Sequence, residues 1–135
     1  MATIAFVVHQ DRPEAAELAR DCARWLEAEG HEVRLTTEDA ATAGLDEFGH
    51  APSDLVDGLD LAVSLGGDGS MLRAVDLVAD ADVPVIGVNL GQLGYLTEVE
   101  PAGLRDALQR FLAGQYAVEE RMLLQVSIGS ASGRI

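Results

Sequence analysis

The chain has 135 residues, a mass of 14.3 kDa and a formal net charge of −14, a size that fits one compact domain burying roughly two-thirds of its unfolded surface. All nine basic residues are Arg and none is Lys, so a Walker-type phosphate loop, Schiff-base chemistry and pyridoxal chemistry have no amine to use. The acidic balance argues against nucleic acid or an anionic membrane as partner, and it leaves a phosphate-bearing ligand to be held by backbone N–H groups, a metal or a few Arg.

Residues 3–9 (TIAFVVH) form a short apolar, β-branched run that predicts a buried strand. No basic leader precedes it and no apolar run approaches the roughly 18 residues of a membrane span, so the expectation is a cytoplasmic protein. Asp11, Pro13 and Glu14 then suggest a capping box with Asp11 as N-cap. The helix they open should run to about Glu29, its stripe being Ala15, Leu18, Cys22, Trp25 and Leu26, with Gly30 just past its end. Cys22, the single cysteine, reads as a small buried hydrophobe. Residues 31–36 alternate, with Val33 and Leu35 on one face, and predict a second strand.

Between residues 37 and 60 the pattern weakens into an acidic, Ala- and Gly-containing stretch, read as loop with short helical pieces. Residues 61–65 (LAVSL) restore a strand that runs straight into Gly66, Gly67, Asp68, Gly69 and Ser70, followed by a helix over 71–79. Residues 83–88 (VPVIGV) are the next buried strand, which also ends in a Gly-containing loop, 89–94 (NLGQLG). Pro101 starts a helix with Leu104, Leu108, Phe111 and Leu112 on one face, and 116–120 and 122–128 look like further strands. Such alternation predicts an α/β fold, an open and mostly parallel sheet with helices on both faces. Residues 1–115 would form this nucleotide-binding domain, and 116–135 the first strands of an incomplete, β-rich second domain, making the chain the front part of a longer one.

Ligands of such sheets sit beyond the carboxyl ends of the strands, where both Gly-rich loops fall. Glycines after a strand let a ligand approach the backbone, and the next helix aims its free N–H groups at the same spot. Asp68 in the middle of that cradle would repel bare phosphate, which points to a Mg²⁺ ligand or to an acceptor for a hydroxyl awaiting phosphorylation; the same glycines also make a simple turn. A Rossmann dinucleotide site fits poorly, since Gly67, Gly69 and Leu72 leave the fingerprint without its third Gly. His9, His31 and His50 share no metal-ligand spacing and read as loop or solvent-facing residues, with no metal-binding cluster in view. Asp54, Asp57 and Asp60 read as a solvated face.

The segments 64–73 (SLGGDGSMLR) and 85–96 (VIGVNLGQLGYL) together resemble the N-terminal half of bacterial NAD kinases. GGDG segments also occur in lipid kinases and phosphofructokinases, whereas the second segment, similar to the family form N-x-G-x-L-G-F-L, is far more specific. The resemblance implies transfer of the γ-phosphoryl of ATP, with Mg²⁺ or another divalent cation, to the adenosine 2′-hydroxyl of NAD, giving NADP. It places the proton acceptor on Asp68 and Gly69 beside the same ribose, and it puts Leu72 and Tyr95 in the NAD pocket, with Tyr95 standing where the family usually has Phe. Arg73 matches a ligand-contacting basic residue of some members, and Gly66, Gly67, Ser70 and Asn89 complete the expected nucleotide-binding set. The family's Asn-Glu or Asn-Asp pair has no counterpart here, so the 135 residues alone are expected to be inactive, and the full-length protein to be a homo-oligomer. Two rivals stay open: a lipid or sugar kinase sharing the GGDG loop, and a non-catalytic nucleotide-binding or oligomerisation module should the natural chain stop at Ile135.

Overall fold

The computed structural model describes residues 1–90 and 99–115, together with the backbone of 125–128 and 131–134. Its centre is β1 (Thr3–Val8), buried along its whole length as the apolar run demands of an interior parallel strand. α1 (Pro13–Ala28) follows, one residue shorter than expected. Its cap position falls on Arg12, which makes no side-chain cap bond, because Pro13 with its preset φ already occupies the first turn. Asp11 lies one residue too early for the expected capping box. Small residues dominate the inward stripe of α1: Ala15, Ala19, Cys22, Ala23 and Leu26 are buried, and Leu18 and Trp25 pack at its margin. Gly30 takes the left-handed conformation (φ +88°) that stops the helix.

β2 (Glu32–Thr36) lies parallel to β1, with Val33 and Leu35 inward. The stretch after it is more ordered than its composition suggests. It contains α2 (Thr37–Ala43), a 3₁₀ turn (Asp46–Phe48), a two-residue edge strand β3 (Gly49–His50) and a one-turn helix α3 (Pro52–Leu55). The Thr36 hydroxyl caps α2 by accepting the Asp39 N–H at 3.1 Å. β4 (Leu61–Gly66) pairs with the other side of β1, α4 (Asp68–Val78) follows after a single residue, and β5 (Val85–Asn89) closes the described edge. β5 begins two residues later than expected; Pro84 has no N–H to give, and its carbonyl only accepts from Ala62. Pro101 opens a 3₁₀ turn (Pro101–Gly103) that leads into α5 (Leu104–Leu112). β6 (Gln125–Ile128) and β7 (Ala131–Arg134) form a separate antiparallel pair; of the expected late strands, residues 116–124 lie outside the described residues.

The main sheet is wholly parallel, with strand order β3-β2-β1-β4-β5. One face, built on Ile4, Phe6, Val8, Val63 and Leu65, is covered by α1, α2 and α5. The other, with Ala5 and Ala62, packs Leu55, Leu59 and Val78 from the α3 and α4 side. The open α/β sheet with helices on both faces is therefore as expected. Connections leave β1 toward β2 and β4 toward β5, in opposite directions, and that divergence opens a crevice at the carboxyl ends of β1 and β4. No described helix is long and apolar enough to cross a membrane.

Candidate functional site

The crevice is built from three strand exits. β4 ends at Gly66, and its last carbonyls are gripped from both sides: the His9 N–H donates to Leu65 O (3.0 Å) and the Leu90 N–H donates to Gly66 O (2.8 Å). Those bonds bring the ends of β1, β4 and β5 to one rim. Packing there is tight enough to dictate residue type. A Cβ on Gly66 would stand 2.3 Å from Ser70 Oγ and 3.0 Å from His9 Cβ, so only glycine fits. Gly67 and Gly69 have open space where a side chain would be. Neither uses a positive φ, contrary to the left-handed turn that successive glycines suggest; the described glycines with positive φ are Gly30, Gly44, Gly58 and Gly114. Openness toward a ligand, rather than backbone curvature, is what those two positions supply.

α4 starts at Asp68, three residues earlier than expected, with Gly67 as a cap that offers no side-chain bond. The first-turn amides of a helix have no partners within it, and the dipole adds positive character at that end. Beside this turn lies a cleft of about 160 Å³ lined by His9, Arg12, Gly66, Gly67, Gly69, Ser70 and Asn89. Among the described residues no carboxylate contributes to its wall. Backbone, one guanidinium, an imidazole and an amide suit an anionic ligand. Asp68 is half-buried on the first turn of α4 and does not line this cavity, which separates the carboxylate from the place best suited to phosphate.

Of the residues expected from the sequence, Gly66, Gly67, Gly69, Ser70 and Asn89 converge on the cleft, with Asp68 beside them. Leu72, at 40% exposure, is the one described large hydrophobic besides Met1 left on the surface. Arg73 does not line the cleft: one of its terminal nitrogens donates to both oxygens of Asp39 (3.0 and 2.8 Å), and the other to Val8 O (3.3 Å). Tyr95 lies outside the described residues. Two cleft residues were missed. His9, expected to be a loop or solvent-facing residue, accepts the Asp11 N–H on Nδ1 (3.1 Å), so its neutral ring carries the proton on Nε2. Arg12 donates to Leu90 O (3.1 Å), bridging the loop after β1 to the exit of β5. The signal for both was positional: in a doubly wound sheet the loop after the first strand always reaches the switch point. Among the described residues no group of three His, Cys, Asp or Glu is placed to hold a metal ion.

A family model described as the ATP-NAD kinase N-terminal domain matches residues 4–116. NAD kinase of Heliobacterium modesticaldum is 44% identical over 132 residues, covering 95% of this chain and 45% of that protein. NAD kinase of Moorella thermoacetica is 41% identical over 128 residues, 95% of this chain and 41% of its own length. The chain thus spans less than half the length of these curated relatives. Among solved structures, yeast NADH kinase complexed with NADH superposes with a TM-score of 0.83 at 20% identity, over 99% of this chain and 46% of that one. An NAD kinase from Archaeoglobus fulgidus in complex with ATP gives 0.56 at 21% identity, over 84% and 37%; at such identities these two speak to the fold. The match over residues 4–116, on a fold that carries the GGDG loop at its switch point, makes this chain a member of the ATP-NAD kinase N-terminal domain family.

Proposed function

We propose that the site transfers the γ-phosphoryl of ATP to the adenosine 2′-hydroxyl of NAD, giving NADP. The observation that carries this reading is the pairing of Asp68, on the first turn of α4, with an adjoining cleft lined, among the described residues, by backbone, Arg12, His9, Ser70 and Asn89 and by no carboxylate. The cleft, with Gly66, Gly67, Gly69, Ser70 and Asn89, takes phosphate; Asp68 addresses the acceptor hydroxyl, orients it and finally takes its proton. A carboxylate is a weak base, and that suffices here. In a loose phosphoryl-transfer transition state the nucleophile needs alignment more than early deprotonation. Leu72 and Tyr95 line the NAD pocket on this reading, and the exposed edge of Arg73 faces the ligand while its other edge stays with Asp39. Mg²⁺ arrives as part of the nucleotide substrate, bound to the phosphates of ATP. The relatives named NAD kinase, and the structural neighbours solved with NADH and with ATP, support the same substrate classes.

Residues 116–135 begin a second, β-rich domain on this reading, and the full-length protein works in the cytoplasm as a homo-oligomer. The test is to incubate the natural full-length protein with MgATP and NAD and to follow NADP with an NADP-specific dehydrogenase, with diacylglycerol and fructose 6-phosphate as rival acceptors. NADP should form, the other two acceptors should stay unphosphorylated, and residues 1–135 alone should be inactive. Phosphorylation of a lipid or sugar in place of NAD, or of no acceptor at all, contradicts the reading.

A further inference from the structure

Asp39 is wholly buried, yet the proposed chemistry does not use it. Its carboxylate accepts four hydrogen bonds: from the Val8 N–H (3.0 Å), from Gln10 Nε2 (3.3 Å) and two from Arg73 (3.0 and 2.8 Å). The reason lies in strand lengths. β1 and β2 pair only as far as Phe6 and Leu35, since β2 turns into α2 at Thr37. Val8, the last residue of β1, is left with an N–H and a C=O that β2 does not reach. Asp39 takes the N–H and Arg73 the C=O, so the pair serves as the missing piece of strand.

The same pair ties α2 to α4 across the end of β1. Buried side chains along α4 are only Ser70, Ala74 and Val78; Gly69 and Leu72 are exposed and no side chain caps its start. Arg73, five residues after Asp68, ties the helix to Asp39 and to the end of β1. Removing Arg73 would strand the buried Asp39 carboxylate, whereas removing the Asp39 charge leaves the half-exposed guanidinium to solvent.

We propose that Asp39 is a positioning residue of the transfer site: anchored on the Val8 amide, it holds Arg73 and through it sets the first turns of α4, with Asp68, against the end of β1. This rests on the kinase reading above. The experiment compares Asp39→Asn, Arg73→Ala and the double variant in the natural full-length protein, by steady-state kinetics per folded molecule and by hydrogen exchange over residues 67–73. Asp39→Asn should lower kcat by about 10-fold or more, in keeping with the cost of a misplaced reacting group, while KM for NAD changes less than about threefold. Exchange over 67–73 should quicken relative to β1 and β4, and in kcat the double variant should be no worse than the poorer single one. A purely structural Asp39 gives lower melting temperature with unchanged kcat per folded molecule, or additive losses in the double variant; either result overturns the proposal. Should Asp39→Asn fail to fold, Arg73→Gln decides by the same kcat and exchange readings, an unchanged kcat again overturning it. A wild-type protein that makes no NADP defeats the kinase reading and this proposal with it, whereas an active wild type with an unaffected Asp39→Asn defeats the proposal alone.

Discussion

Three glycines within four residues of the 66–69 stretch do two different jobs. Gly66 is required by the fold, because a methyl group there collides with Ser70 and crowds His9. Gly66→Ala should cost about 1–3 kcal/mol, the usual penalty for forcing atoms into a full space, with thermal denaturation as the measure. Gly69 sits inside α4 with open space around its would-be Cβ. Gly69→Ala should therefore stabilise the fold by about 0.5–1 kcal/mol through helix propensity, and yet lower NADP formation severalfold, since on the proposed reading the ribose approaches at this position. An unchanged melting temperature for Gly66→Ala, or a fully active Gly69→Ala, contradicts this division. The motif itself was plain in the sequence; which glycine answers to packing and which to the ligand depends on Ser70 and His9, one helical turn and one strand away, and so emerged only in three dimensions.

At the scale of elements, legibility followed length and period. β1, α1, β2, β4, α4, β5 and α5 each carry enough apolar periodicity or a long enough apolar run to be read directly, with ends misplaced by one to three residues. α2, β3 and α3 have seven, two and four residues; none spans enough turns to show a period against an Ala- and Asp-rich background. The short helical pieces expected there are α2 and α3, but without their positions Asp39 went unmarked, although Thr36 and Asp39 have the spacing of a cap and its third helical residue. α1 offers a chemical check on its burial. Cys22 is pushed up to about 11, chiefly by burial, with Arg105 pulling the other way and Asp21 adding to the rise. The folded state thus favours the neutral thiol. Its contribution to stability is present below the ordinary value of 9.0 and is lost as pH rises through about 11. Urea midpoints of wild type should fall relative to Cys22→Ala across that window, and a thiol reagent should label Cys22 near neutral pH only after unfolding. Rapid labelling of the folded protein contradicts a buried α1 face.

Over the whole molecule, charge and site are kept apart. Glu14, Glu17, Asp21, Glu27 and Glu29 are exposed on and just after α1, while among the described residues no carboxylate lines the cleft. With a Debye length of about 8–10 Å in ordinary buffers, Glu27 and Glu29, at the far end of α1, do little to oppose an anion seated among Arg12, His9 and the start of α4. The strand order creates the site: it brings together three loops far apart in sequence, and places the carboxylate of Asp68 beside a cleft of about 160 Å³. Everything proposed for function turns on that carboxylate. The direct measurement is the turnover of Asp68→Asn in the natural full-length protein with MgATP and NAD, with NAD affinity taken by calorimetry on the same sample. NADP formation should fall by about 10²-fold or more, with NAD affinity and melting temperature close to wild type; a variant that keeps near-normal turnover contradicts the account.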